Sequence, residues 1–542
     1  MKVLVNNESS HISSGYGVMG KEIISRLHNR GIIVSELAGY LQPNGPRQLW
    51  KTYPNEPDPN NQEERRRYES NPINGFGLWK WEQTCLDFQN THTFSVRDFW
   101  MSNFEDESPF RDFYALVQVP TVDARPQADH WTNLYVNCDA ILSYSEWGGE
   151  ILKKQSSNKI NYRGTASPAP ANEYQFIPNK RAHKDKLGIN PDALIIGMVA
   201  RNQKRKLFPA LMKGFAQYLR AGPPELTKLS FLYCHTSYPD IGYDLRNLIK
   251  EHGIGNRVLF TYICKNCQLI FPNVFQDTQV FCRRCSQQAC VTVNHKNSIE
   301  NKTLADIVGL FDVYVQMACA EGFGIPVVEA AACGVPTMVV NYSAMEDFPK
   351  TLNSIPINYL ELEKESETGR YFAVPDLDDF NQKLVELLSL PEQIRANIGF
   401  KSSQLARQNY SWDKTVDKLI EVFNSVKPKL PWNHPPRYHQ PNLNIQQGLN
   451  NEQFIKAAII QVLGLPEKLN TYFEAALLRD LNMGCSVTNW GGPYYSEFAA
   501  IGASPPKDWI KEFNRDILVR DLLNQRNNFN EWERRRYAKF AT

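Results

Sequence analysis

No apolar run in this 542-residue chain reaches the roughly 18 residues that a bilayer-spanning helix needs. Integral membrane association is therefore not expected. The opening MKVLVNN lacks the charged and apolar regions of a signal peptide and reads as a β-strand, so a cytoplasmic protein is expected. Charge imbalance is also missing: 60 basic against 58 acidic residues leave a net charge of only +2. No global field recruits nucleic acid or membrane, and only local patches can do so. Eleven cysteines, an odd number without an export signal, argue against a disulfide framework and for reduced thiols and metal ligands. The length allows two or three domains, each with its own core.

The most informative stretch is EGFGIPVVEAAACGVP, in which Glu321 and Glu329 bracket a turn. Pro326 suits the start of a helix, where its missing N–H has no partner to lose. Gly322 and Gly324 let the backbone approach a ligand, so the N–H groups of Phe323, Gly324 and Ile325 can converge on an anion. Carboxylates do not bind phosphate. The pair is better suited to accept hydrogen bonds from hydroxyls, such as those of a sugar and a ribose. The plainer alternative is that Glu329 complements the helix dipole and the glycines form an ordinary turn. Upstream, LIIGMVA reads as a buried parallel strand that ends at Arg201 and Lys206, on the crevice side of an open α/β sheet. Two cations there neutralise a diphosphate, although the run Arg201, Lys204, Arg205 and Lys206 also fits a solvated loop. The two motifs together, in this order, favour a nucleotide-sugar site.

Elsewhere the chain alternates strand and helix. MKVLVNN, the helical pattern VMGKEIISRLHNRG and IIVSEL make a βαβ opening, whose loop carries His11, Ser13, Ser14, Gly15 and Gly17 at a helix N-terminus. Residues 42 to 75, rich in Pro, Asn and charge, suggest a long surface loop. HTFSV and FYALVQV read as strands whose ends offer Asp98 and Asp123, as ligand contacts or as loop caps. From Ala193 a second alternating series begins, so the expected class is α/β with two doubly wound domains. The D-x-D at Asp376 to Asp378 precedes an apolar-periodic helix and reads as an N-cap rather than a metal site.

With E-x₇-E, the R-x₄-K of Arg201 to Lys206 and ADIVGLFDVYVQM, the chain resembles the retaining family 4 glycosyltransferases of GT-B fold. The resemblance extends to DAILSYSEWGGEIL, NEYQFIPNKRAHKDKLGI and NYSWDKTVDKLIEVFNSV, and so spans most of residues 1 to 427. It implies an acceptor-side Rossmann-like domain at 1–185 and a donor-binding one at 186–427. It further implies front-face transfer from a nucleotide-diphosphate sugar with retention, without an obligatory protein nucleophile or catalytic metal. Arg201 and Lys206 would stabilise the leaving diphosphate, Glu321 would hold the donor sugar and Glu329 the ribose. The loop of Gly15 and Gly17 would close on the donor phosphates, although the family usually has adjacent glycines where this chain has Gly-Tyr-Gly. Family members often place a histidine or aspartate at the ends of the first-domain strands, near the donor sugar. This chain offers Asp98 and Asp123 there, as candidates for the acceptor or sugar side, and no histidine. His11, in the first loop, is either a polar loop residue or a participant on the acceptor or sugar side. The overall look resembles phage-encoded members, which would place the protein in host cytoplasm.

The departure from the family is an insert at 263–296. Cys264, Cys267, Cys282 and Cys285 form C-x₂-C-x₁₄-C-x₂-C, the spacing of a closed structural zinc ribbon. A redox reading needs only one such pair. Cys290 and His295 are spare candidates, better read as an interior thiol and a surface imidazole. Lys265, Arg283, Arg284 and Lys296, interleaved with Phe271, Phe275 and Phe281 and opposed by Asp277, fit either a nucleic-acid-tracking surface or a small core with a solvated face. A Pro-rich linker at 428–446 precedes an extension at 447–542 that reads as helical. Three functions remain open. The default is transfer to a glycan, small molecule or lipid; a second is modification of a hydroxymethylated pyrimidine base in phage DNA; a third is a non-catalytic zinc-bearing scaffold. Oligomeric state is not readable.

Overall fold

The computed structural model describes residues 1–432 except 13, 277–279 and 295–296, together with 448, 449, 453, 454 and 457. The extension expected at 447–542 therefore lies almost wholly outside the described residues, as do Ser13, Asp277, His295 and Lys296.

Two open α/β sheets carry the chain. The first contains β1 (Lys2–Glu8), β2 (Ile33–Gly39), β3 (Lys51–Pro54), β4 (His92–Ser95), β5 (Ala115–Gln118), β6 (Ala140–Ser143) and β7 (Tyr162–Thr165). They pair in parallel, in the order β3-β2-β1-β4-β5-β6-β7. Helices cover both faces, so the central strands are apolar on both sides: Val3, Leu4 and Val5 are all fully buried. The order reverses direction between β1 and β4, which opens a crevice at the carboxyl ends of these strands.

The second sheet contains β8 (Leu194–Val199), β9 (Ser230–His235), β10 (Val258–Cys264), β11 (Ile270–Val274), β12 (Cys290–Thr292), β13 (Val313–Gln316), β14 (Thr337–Val340) and β15 (Ile355–Ile357). Its order is β11-β10-β9-β8-β13-β14-β15, with β12 on β10. Here the switch lies between β8 and β13. This is the two-domain arrangement that the resemblance implies.

Residues 42 to 75 hold more order than their composition suggests. Lys51–Pro54 adds an edge strand beside β2, and Gln62–Glu69 is a short helix capped by Asn61. Asn61 and Asn71 here cap short helices, Pro72 sits in the first turn of the second, and Pro54 ends the edge strand.

The domains meet across the cleft. An antiparallel hairpin of β16 (Tyr359–Lys364) and β17 (Tyr371–Pro375) reaches from the second domain to the first. There Tyr371 N donates to Arg125 O at 2.8 Å and Arg370 pairs with Asp123 at 2.7 Å. The helix Trp412–Ser425 also crosses back: His92 Nε2 lies 2.9 Å from Phe423 O, and Arg30 pairs with Asp413 and Asp417. Asp376 caps the helix Leu377–Ser389 through the N–H groups of Asp378 and Asp379, the role expected from sequence.

Candidate active site

The helix Ile325–Ala332 begins one residue before the expected Pro326. Gly324, its N-cap, has φ of +107°, a conformation that favours glycine. The N–H groups of Phe323, Gly324 and Ile325 carry no hydrogen bond to a protein acceptor among the described residues. Gly322 is needed for another reason: a Cβ there would lie 2.7 Å from Thr121 Cγ2 on the opposite domain. A side chain at 322 would have to displace the Thr121 methyl or part the cleft at that point. Phe323 is buried behind the turn against Phe348 and Tyr410, with ring centroids 5.5 Å away in each case.

Glu321 is the centre of a buried charge cluster. Its carboxylate accepts from Lys206 Nζ, from Arg205 Nη1 at 2.7 Å and from Gln316 Nε2 at 2.6 Å. Its backbone N–H donates to Ser343 Oγ at 2.9 Å. Behind Gln316, Tyr314 donates to Gln316 Oε1 at 2.5 Å, which fixes the amide with its NH₂ toward Glu321. Burial pushes the Glu321 carboxyl up, but the charges of Lys206 and Arg205 and their hydrogen bonds overcome this and hold it down at about 2. Burial pulls the Lys206 ammonium below its ordinary value, with Glu321 opposing the fall. Two cations face one carboxylate, so the cluster carries a net positive charge beside the free N–H groups of the turn.

Arg201 and Lys206, joined by sequence as one diphosphate clamp, take different partners. Lys206 turns inward to Glu321. Arg201 is 55% exposed and is gripped by both oxygens of Asp240, at 2.9 and 3.0 Å. The second inward cation is Arg205, which the charge run left indistinguishable from a solvated loop residue. The 3₁₀ turn Lys204–Lys206 aims Arg205 and Lys206 together, and Cys319 N donates to Arg205 O at 2.9 Å to hold that turn against the Glu321 loop.

Glu329 lies one turn inside the helix, partly buried, and burial raises its carboxyl to about 7, with the Tyr174 hydroxyl opposing the rise.

Across the cleft, Gly15 opens the helix Gly15–Asn29 with free space around it. Gly17 packs so tightly that a Cβ would sit 2.2 Å from Ile12 O. Ser14 caps this helix by accepting from Gly17 N and itself donates to the Glu8 carboxylate, which occupies the helix entrance. Tyr16, between the glycines, hydrogen-bonds Thr121 at 2.9 Å and so joins the loop to the cleft contact with Gly322. Asp98 and Asp123 are brought near one another. Burial and then the Asp123 charge push the Asp98 carboxyl up to about 6. Asp123 is engaged by Arg370 of the crossing hairpin. His11 is exposed and bound to Pro46 O and Gln48, at 3.1 and 2.8 Å.

In the insert, the four sulfurs of Cys264, Cys267, Cys282 and Cys285 all lie within 4.8 Å of one another. The Cys264–Cys285 and Cys267–Cys282 separations are 3.6 and 3.5 Å. A tetrahedron with Zn–S bonds of about 2.3 Å requires about 3.8 Å between sulfurs, so the set fits zinc. Both C-x-x-C turns close alike: Gln268 N donates to Cys264 O and Ser286 N to Cys282 O, and Gln268 and Ser286 share a left-handed φ of 58° and 54°. Cys290 is buried opposite Cys264 in the β10–β12 pairing. Phe271 packs on Tyr262 and Phe275 on Phe260, whereas Phe281 is 63% exposed. Arg283 lies over the Phe271 ring at 5.2 Å. Most of the aromatic interleaving is thus the ribbon's own core.

Residues 286–402 match the family model of the glycosyl transferases group 1, a span that includes Glu321 and Glu329 but not Arg201 to Lys206. A D-inositol 3-phosphate glycosyltransferase of Rhodococcus opacus (strain B4) is 25% identical over 138 residues, 26% of this chain and 27% of that protein. The chain thus spans about a quarter of the length of the curated relatives it matches. Among solved structures, sucrose-phosphate synthase from Thermosynechococcus elongatus superposes with a TM-score of 0.57 at 13% identity, covering 78% of this chain and 99% of that one. HepE of Anabaena, solved with UDP and glucose, gives 0.51 at 14% identity over 79% of this chain and 100% of that one. The fold is that of the GT-B glycosyltransferases. Among the described residues no helix is long and apolar enough to cross a membrane.

Proposed function

We propose that the protein is a retaining glycosyltransferase that moves a sugar from a nucleotide-diphosphate sugar to a hydroxyl acceptor. The observation that carries this reading is the Glu321 cluster: two inward cations on one buried carboxylate, beside a glycine turn with free N–H groups at a helix start. A diphosphate leaving group gains negative charge as its bond to the sugar breaks. Preorganised cations and backbone N–H groups stabilise that charge without reorganising at the moment of reaction. Lys206 and Arg205 are the inner cations in this role and Arg201 the outer one. Glu321, held ionised, accepts from the donor sugar's hydroxyls, and Glu329 accepts from the ribose. Asp98, with its carboxyl near 6 at the cleft wall, suits a hydrogen bond to the acceptor hydroxyl or donor sugar, and Asp123 with Arg370 orders the wall beside it. The loop of Gly15 and Gly17 closes on the donor phosphates, and His11 borders the acceptor side.

The four cysteines hold a structural zinc. A four-thiolate site has no open position, so the ion neither binds the diphosphate nor activates water, and it enters no step of the transfer. The acceptor is a glycan, small molecule or lipid hydroxyl. A hydroxymethylated base in phage DNA receives no support from the ribbon, whose Phe271 is buried, whose Phe275 packs on Phe260 and whose Arg283 lies on Phe271. The intact charge cluster counts against a non-catalytic scaffold.

Thermal-shift screening of nucleotide sugars, followed by mass spectrometry of acceptors incubated with the best donor, tests this reading. A donor that binds the native state raises the melting temperature. Stabilisation by none at millimolar concentration would contradict it.

A further inference from the structure

Between the zinc ribbon and the cation loop lies the segment 236–243, which follows β9 at the crevice edge and is fastened on both sides. Toward the ribbon, Thr292 of β12 donates to Tyr238 O at 2.6 Å, and the Tyr238 ring meets Phe275 edge-on at 5.8 Å. Thr292 is held in register opposite Tyr262, two residues before the metal-ligand position Cys264, and Lys265 N donates to Ala289 O. Closure of the four-cysteine site therefore fixes where Thr292 stands. Toward the cation loop, Asn202 and Tyr243 exchange hydrogen bonds of 2.7 and 3.0 Å, and Tyr243 donates from its hydroxyl to Lys204 O at 2.9 Å. Gly242 lies so close to Asn202 that a Cβ would sit 2.4 Å from Oδ1.

Asp240 sits at the centre of this segment. Its side chain is only 5% exposed, accepts from Ile241 N at 2.8 Å, and takes Nε and Nη2 of Arg201 with both oxygens. Such a fork fixes the plane of a guanidinium, which an isolated surface arginine does not do for itself. Two of the five N–H donors of Arg201 are used, leaving three on the exposed edge for a ligand.

We propose that the ribbon braces the donor site, and that Asp240 is a positioning residue that aims Arg201 at the donor diphosphate. This rests on the donor reading above and assigns the insert a task in it. The ribbon sets segment 236–243, that segment sets Asp240, and Asp240 sets Arg201. Both the ribbon and its contact at Thr292 belong to the insert.

The test uses the full zinc-loaded chain and calorimetric affinities for pyrophosphate, UDP, GDP and ADP. Arg201→Ala is expected to weaken the tightest of these about tenfold, as loss of a charged hydrogen-bonding partner does. Asp240→Asn is expected to weaken it several-fold and Thr292→Val about two- to threefold. In the Arg201→Ala background, neither second substitution should weaken binding further, since both act through Arg201. A general structural defect would persist in that background, so this coupling separates positioning from damage. Retention of one zinc per chain by Thr292→Val shows that the ribbon itself is intact. Wild-type affinity in Asp240→Asn, tighter binding, or an equal loss with and without Arg201 would each overturn the brace while leaving the donor reading standing. Absence of binding by any of the four probes to the wild-type protein would overturn both.

Discussion

Replacing Glu321 by glutamine removes the anion that Arg205 and Lys206 share while keeping the size of the side chain. The carboxyl is held at about 2 against an ordinary 4.5, a depression of about 2.5 units. At about 1.36 kcal/mol per unit this corresponds to about 3 kcal/mol of stability. The sign is that of a depressed acid: the contribution is complete above pH 4.5 and is lost as pH falls toward 2. The variant leaves two inward cations without their carboxylate, and breaking one side of a buried pair costs about 3 to 5 kcal/mol, the same range. For a domain of this size about 3 kcal/mol lowers the melting temperature by about 6–12 °C. Scanning calorimetry at pH 7 should show that fall in Glu321→Gln, shrinking as both proteins are taken toward pH 3. A nucleoside diphosphate should recover part of it, because its charge replaces the missing carboxylate. A melting temperature within about 2 °C of wild type at pH 7 would refute the description of Glu321 as the buried counter-ion of Arg205 and Lys206.

Lys206→Ala should lower turnover by roughly tenfold to a thousandfold with the fold intact, as loss of one transition-state electrostatic partner does; near-normal turnover at saturating donor would remove it from the mechanism. Glu329→Gln should stabilise the protein at pH 8 by on the order of 3 kcal/mol and be close to neutral below pH 4.5. Its carboxyl is raised to about 7, so stability present below 4.5 is lost as pH rises through 7, and the amide escapes that loss. The same variant should weaken donor affinity more than turnover, as removal of a ribose contact does, and denaturation at the two pH values with a KM measurement checks both parts. Elemental analysis of protein prepared without chelators should find one zinc per chain, absent from Cys264→Ser and Cys285→Ser; zinc-free wild-type protein would end the ribbon assignment.

Legibility followed locality. Both sheets, the start of the helix at Pro326, the Asp376 cap and the four-cysteine set could be read because their signals are short: periodicity, a glycine-proline turn, a cap, a spacing. The partners of the charged residues could not. Whether Arg201 or Arg205 turns inward depends on a single 3₁₀ turn within RNQKRK, and a charge run carries no phase from which to read it. Asp240 stands 39 residues from the arginine it grips, in a segment whose position depends on the ribbon. Arg370 lies 247 residues from Asp123 and reaches it on a hairpin that the polar run KESETGRYF gave little sign of. The Gly-Tyr-Gly pattern points to its glycines, although a bulky residue such as Tyr16 between two glycines in a crevice loop is itself a signal. The composition of residues 42 to 75 predicts a loop, and β3 leaves no trace in it because an edge strand of four residues has too little alternation.

The central claim is transfer from a nucleotide-diphosphate sugar with retention, and the anomeric configuration of the first product tests it most directly. Wild-type protein, an α-linked donor selected by thermal shift and its acceptor are followed by proton NMR from the earliest turnover. The expected product carries the α-anomeric signal, and Lys206→Ala forms it at least tenfold more slowly. A β-linked product, or no cleavage of any nucleotide sugar with or without acceptor, would contradict the account.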